Sequence, residues 1–168
     1  MKASRKIAIC GVLIALSMAL SFAESLVPVF FAVPGMKLGL SNLVVMVAIY
    51  TVGLRYAFGI NMIRILLAAA TFGNAFALMY SAAGGVLSFV VMALLFKTGK
   101  FSPVGVSAAG GVFHNVGQVI VAFFVLESGY VMYYLPFLVV SGTVSGILIG
   151  ILGGVMVRRL SKIDTGIK

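Results

Sequence analysis

The sequence predicts an all-α integral membrane protein, one domain of six transmembrane helices with both termini cytoplasmic. Three observations carry that expectation. Hydrophobic residues make up 62% and charged residues 9% of the 168 residues, and mean hydropathy is +1.24, outside the range of ordinary soluble domains. Apolar runs approaching the roughly 20 residues that cross a bilayer recur from end to end. The net charge of +9 comes from Lys and Arg between those runs, as topology determinants do, so it is not a nucleic-acid footprint.

Helix 1 is expected over Ile7–Leu26. Its start resembles a signal peptide, with Lys2, Arg5 and Lys6 before an apolar run and Ser21-Phe22-Ala23 after it. The run is longer than a usual signal core, so the expectation is a retained first helix. Gly11, Ala15, Ala19 and Ala23 recur every four residues and form a smooth stripe that lets another helix approach closely in lipid. The loop Val27–Lys37, with Pro28, Pro34 and Gly35, leads into GMKLGLSN, where Lys37 and Asn42 flank a short helix 2 over Leu38–Gly53.

Helix 3, Arg55–Phe72, carries Arg64 at its middle. A bare guanidinium at the bilayer midplane costs roughly 2.5–3.5 kcal/mol on insertion scales. Asn61 and Ala68 share its face, at i−3 and i+4. Such a charge faces the interior or a wet cavity and marks a binding site or ion path, the alternative being a buried ion pair that pins two helices. Gly73-Asn74 makes a turn into helix 4, Ala75–Phe96, whose face Ala77, Ser81, Gly85 is small.

Helix 5, Pro103–Leu126, carries GGVFHNVGQ, placing His114, Asn115 and Gln118 at mid-depth. Each amide left unpaired in lipid costs several kcal/mol, so these groups must face one another, water or a ligand. Helix 6, Val131–Val157, has Gly142, Gly146, Gly150 and Gly154 every four residues.

Orientation follows from the charges between helices. Ten basic residues fall on one side, only Lys37 on the other, and Arg64 within the membrane. That asymmetry puts both termini inside and Glu24 and Glu127 at the outer ends.

The polar groups suit a small polar or anionic molecule. Arg64 can hold a carboxylate or phosphate bidentately, Lys37 can add a second positive charge, and Asn42, Asn61, Asn74, His114, Asn115 and Gln118 can read amide or hydroxyl edges. Tyr80, Tyr130, Tyr133 and Tyr134 can stack a ring, although an ordinary interfacial aromatic belt is the favoured reading of them. Other chemistries fail on inventory. There is no G-x-x-x-x-G-K for ATP. The acids are only Glu24, Glu127 and Asp164, which cannot hold catalytic Mg²⁺. One His and one Cys exclude a zinc site within the chain. The expectation is a protein that is not an enzyme by itself and has no intrinsic cofactor or metal.

At MKLGLSNLVVM, Arg64 and GGVFHNVGQ the chain resembles the family labelled heptaprenyl diphosphate synthase component I, also called Gx transporter. More distantly it resembles the substrate-binding S components of energy-coupling factor (ECF) transporters. That resemblance implies an outward-side pocket for a vitamin-like ligand and a bacterial-type cell membrane. It implies a membrane coupling protein docked on Gly11, Ala15, Ala19 and Ala23, and ATP used only by partner ATPases. The loop before Lys37 would be the gate. Relatives associated with flavin systems make a flavin the first expectation for the ligand. The synthase label implies a different role, a non-catalytic membrane partner, because such synthases need aspartate-rich motifs and the single Asp here is Asp164. A self-sufficient transporter or channel is a third class, disfavoured by the lack of carboxylates deep in a helix.

Overall fold

A computed structural model describes residues 3–26, 39–127 and 129–162. The order is α1 (Ala3–Leu26), α2 (Leu40–Thr51), α3 (Leu54–Phe72), α4 (Ala75–Thr98), α5 (Pro103–Leu126), a 3₁₀ segment (Gly129–Tyr134) and α6 (Leu135–Lys162). Helices are the outcome that apolar surroundings favour, since every backbone group then bonds within its own segment.

The breaks between helices have local causes. Gly39 (φ +76°) and Gly53 (φ +93°) adopt the positive φ that bounds α2 on both sides, a conformation other residues enter only with strain. Asn74 caps α4 by accepting from the Ala77 N–H at 2.8 Å, and Ser102 caps α5 through the Gly105 N–H at 3.2 Å. Pro103 follows at the first helical position, where its missing N–H costs nothing.

Five of these helices are long and apolar enough to cross a membrane. The second is not: its 12 residues rise only about 18 Å, against a hydrocarbon core of about 30 Å. The expected helix over Leu38–Gly53 is thus shorter than predicted. Position explains the length. This helix packs against α1, α3 and α6, and Val44 through Ile49 are almost wholly buried. It is the axis of the bundle. The expected helix 6 also divides, because Gly129–Tyr134 forms a 3₁₀ segment before α6 begins at Leu135.

Two halves make the bundle. The first three helices pack on one another, while α5 lies against both α4 and α6, and α2·α6 and α3·α4 contacts join the halves. The glycine ladder sets the α5–α6 spacing. A Cβ added at Gly146 would lie 2.7 Å from the Ala108 Cα, one at Gly150 would lie 2.7 Å from the Val104 Cα, and one at Gly111 would collide with the Gly142 carbonyl oxygen. Gly154 lies beyond this contact, with only Pro103 nearby.

The exterior is apolar, with Val12, Leu16, Leu94, Phe124 and Leu148 exposed, while Glu24, Asn61, Arg64, Asn115 and Gln118 are buried. This inverts the soluble arrangement, in which charged groups are almost never fully buried. The molecule is built as a membrane bundle.

Candidate functional site

Arg64 is 6% exposed, and its guanidinium is held by three neutral oxygens. The Nε–H donates to Asn61 Oδ1 at 3.0 Å, one turn back on the same helix. Nη1 donates to Ser41 Oγ and Nη2 to Asn42 Oδ1 at 2.8 Å. Asn61 is held in turn, since its Nδ2 donates to the Gly85 carbonyl of α4 at 3.0 Å. Gly85 allows that approach: a Cβ there would lie 2.6 Å from Ile65 Cδ1. One arginine thus ties the middle of α3 to the start of α2, and its asparagine ties α3 to α4.

Glu24 completes the arrangement. It is 5% exposed and its Oε1 accepts from the Gly39 N–H at the start of α2. A carboxylate there offsets both the positive end of the helix and the nearby guanidinium.

These groups surround a cavity of about 30 Å³, with Glu24 from α1, Asn42 from α2, Arg64 and Ala68 from α3, Ser81 from α4 and His114 from α5. The cavity therefore lies on the seam between the halves. Behind it lies a second chamber of about 10 Å³, lined by Ser88, Ser107, His114, Asn115 and Ser145. Gly39, Asn42 and His114 line both. At roughly 10–15 Å³ per water, the first holds about two waters and the second about one. Ser88 Oγ is buried there without a protein partner.

The structure brings together some expected residues and separates others. Arg64, Asn42 and His114 share the first cavity. Asn115 lines the inner chamber and donates to the Leu138 carbonyl at 2.7 Å. Asn61 positions Arg64 without lining either space. Gln118 is buried but is not among the lining residues. Asn74 stands apart as an exposed helix cap, because its side chain satisfies a backbone donor that the start of α4 would otherwise leave open. Lys37 and the loop Val27–Lys37, expected as a second charge and a gate, lie outside the described residues.

Sequence reasoning missed Ser41 and the serines at 81, 88, 107 and 145 as wall residues. Ser41 was the legible one, adjoining Asn42 in GLSN. Gly11, Ala15, Ala19 and Ala23 are all exposed on the outer face of α1, and a Cβ at Gly11 would meet nothing within 4 Å. The stripe is not consumed by packing inside the monomer.

No curated protein and no solved structure matches the chain. A family model described as heptaprenyl diphosphate synthase component I matches residues 13–156, which include α2 to α5 entire and every described residue of both chambers. By that coverage the chain belongs to the heptaprenyl diphosphate synthase component I family.

Proposed function

We propose that this chain is a substrate-binding membrane subunit that takes up a small polar molecule through an anionic group held by Arg64, with no catalytic step of its own. The observation that supports it is the state of the guanidinium. Among the described residues, three of its five N–H groups are used by Asn61, Ser41 and Asn42, which leaves two for the cavity that Arg64 lines. A carboxylate or phosphate there would gain charge-assisted hydrogen bonds in a setting where water competes weakly. Asn42, Ser81 and His114 would read the ligand's remaining polar edges.

The space between the halves bounds the ligand. Room for about two waters admits no vitamin-sized molecule, so a flavin would need the α1–α3 half to part from α4–α6. The chain makes six passes through the bundle in a bacterial-type cell membrane, with both ends cytoplasmic. Five are full spans, and one is the short buried α2, which returns the chain inside the bundle without covering the hydrocarbon core by itself. Energy for release comes from separate ATPases through a coupling protein seated on the exposed Gly11–Ala23 stripe, as in ECF transporters.

The family name favours a second reading, a non-catalytic membrane partner of a prenyl diphosphate synthase. Co-purification separates the two: a coupling protein with ATPases supports the first, a soluble aspartate-rich synthase the second. The binding claim itself is tested by mass spectrometry of small molecules retained by the purified protein. Arg64→Gln should lose a retained anionic compound, with a penalty of roughly 1.5–3 kcal/mol for a hydrogen bond to a charged group. Asn74→Ala, on the exposed cap, should keep it. Equal retention by wild type and Arg64→Gln would place the site elsewhere.

A further inference from the structure

A space larger than the Arg64 cavity lies elsewhere in the bundle. A cleft of about 330 Å³ lies on the outer surface between α1 and α3, lined by Cys10 and Ile14 on one side and Arg55, Tyr56, Gly59, Ile60 and Ile63 on the other. Its α3 wall runs from residue 55 to residue 63, about 12 Å along the axis at 1.5 Å per residue. Gly59 opens the floor, because a Cβ there would meet nothing within 4 Å. The walls are apolar and Ile63 is 44% exposed, so in a bilayer this cleft faces acyl chains.

The mouth is cationic. Arg55 is exposed at the first turn of α3. Lys6 Nζ sits 5.4 Å from the centre of the Tyr56 ring, within cation–π range, and holds a second positive charge beside it. Arg5 adjoins Lys6 and is exposed. The described acids lie at the other end of the bundle, Glu24 in the last turn of α1 and Glu127 just after α5. Among the described residues, then, nothing at this end supplies a counter-charge.

We infer that the α1–α3 cleft is a binding site for an anionic phospholipid, with its phosphate on Arg55 and Lys6 and an acyl chain laid along Gly59, Ile60 and Ile63. Apolar walls alone would accept any lipid chain. The basic mouth selects the headgroup, as basic pockets between transmembrane helices do. A water-soluble anion would find the charge but no use for the cleft. This site is separate from the Arg64 cavity and does not depend on it.

Native mass spectrometry of the full chain in detergent, titrated with phosphatidylglycerol or with phosphatidylcholine of the same chains, tests the inference. The wild type should retain phosphatidylglycerol several-fold more than phosphatidylcholine. Arg55→Gln should bring the two close to parity. Gly59→Leu, whose Cβ would enter open space, should lower retention of both lipids. Cys10 gives a second readout, since bound phosphatidylglycerol should slow its alkylation by N-ethylmaleimide in wild type but not in Arg55→Gln. Equal retention of the two lipids by wild type would overturn the inference, as would a preference that survives Arg55→Gln or retention unmoved by Gly59→Leu. Protection of Cys10 in a lipid-free dimer would assign the cleft to a second copy of the chain instead.

Discussion

A guanidinium survives at mid-membrane when the oxygens around it are placed before a ligand arrives. Asn61 does this for Arg64, and the Gly85 carbonyl fixes Asn61. Glu24 and Arg64 then share one cavity, while the arginine's bonds to Asn61, Ser41 and Asn42 do not involve the carboxylate. Their coupling should be measurable. Glu24→Gln and Arg64→Gln should each lower the unfolding temperature in detergent, and the double variant should lose less than the sum by about 0.5–3 kcal/mol. Strict additivity would show that the two charges do not act on each other. The Arg64–Asn61 pairing was legible in the sequence, because i and i−3 share a helical face. Ser41, Asn42 and Glu24 converge on it through the tertiary position of α2, which no periodicity encodes. Asn74 misled for a physical reason: a polar residue between two apolar runs reads equally as a site residue or as a helix cap.

At the scale of elements, two small-residue patterns with the same spacing have opposite uses. The α6 ladder is spent inside the molecule, with Gly142, Gly146 and Gly150 against the backbone of α5. The α1 stripe, Gly11 to Ala23, is left outside. Gly111→Ala should therefore destabilise the isolated protein by about 1–3 kcal/mol, the usual cost of overpacking, because its Cβ would meet the Gly142 carbonyl and not a yielding side chain. Ala19→Leu should leave the melting curve of the purified chain nearly unchanged while weakening capture of a membrane partner. A large loss of stability from Ala19→Leu would remove the docking role of the stripe. The sequence shows both stripes plainly, but spacing cannot say which face a neighbour covers. Nor could it show that α2 ends at Thr51 as a buried axis, since a short apolar run looks the same on the outside of a bundle as at its centre.

For the whole molecule the distribution of charge is the argument for the proposed orientation. Passing up and down through the helices brings Arg5, Lys6, Arg55, Lys97, Lys100, Arg158 and Arg159 to one end, while Glu24, Glu127 and the exposed Tyr130 and Tyr133 lie at the other. Transfer of basic loops across the membrane is disfavoured, which would turn the basic end to the cytoplasm, the orientation proposed above. In that orientation the Arg64 cavity, reached from the starts of α2 and α4 and the end of α1, would lie toward the outside. The lipid cleft, by the same placement, would fall in the cytoplasmic leaflet. Cysteine labelling in intact cells tests both at once. In a Cys10→Ala background, a cysteine at Tyr133, which is 81% exposed, should react with a membrane-impermeant maleimide added outside. One at Gly99, in the turn after α4, should react only after the cells are opened. Labelling of position 99 in intact cells, with position 133 protected, would invert the molecule. The Arg64 cavity would then open to the cytoplasm, and uptake from outside through it would have to be abandoned.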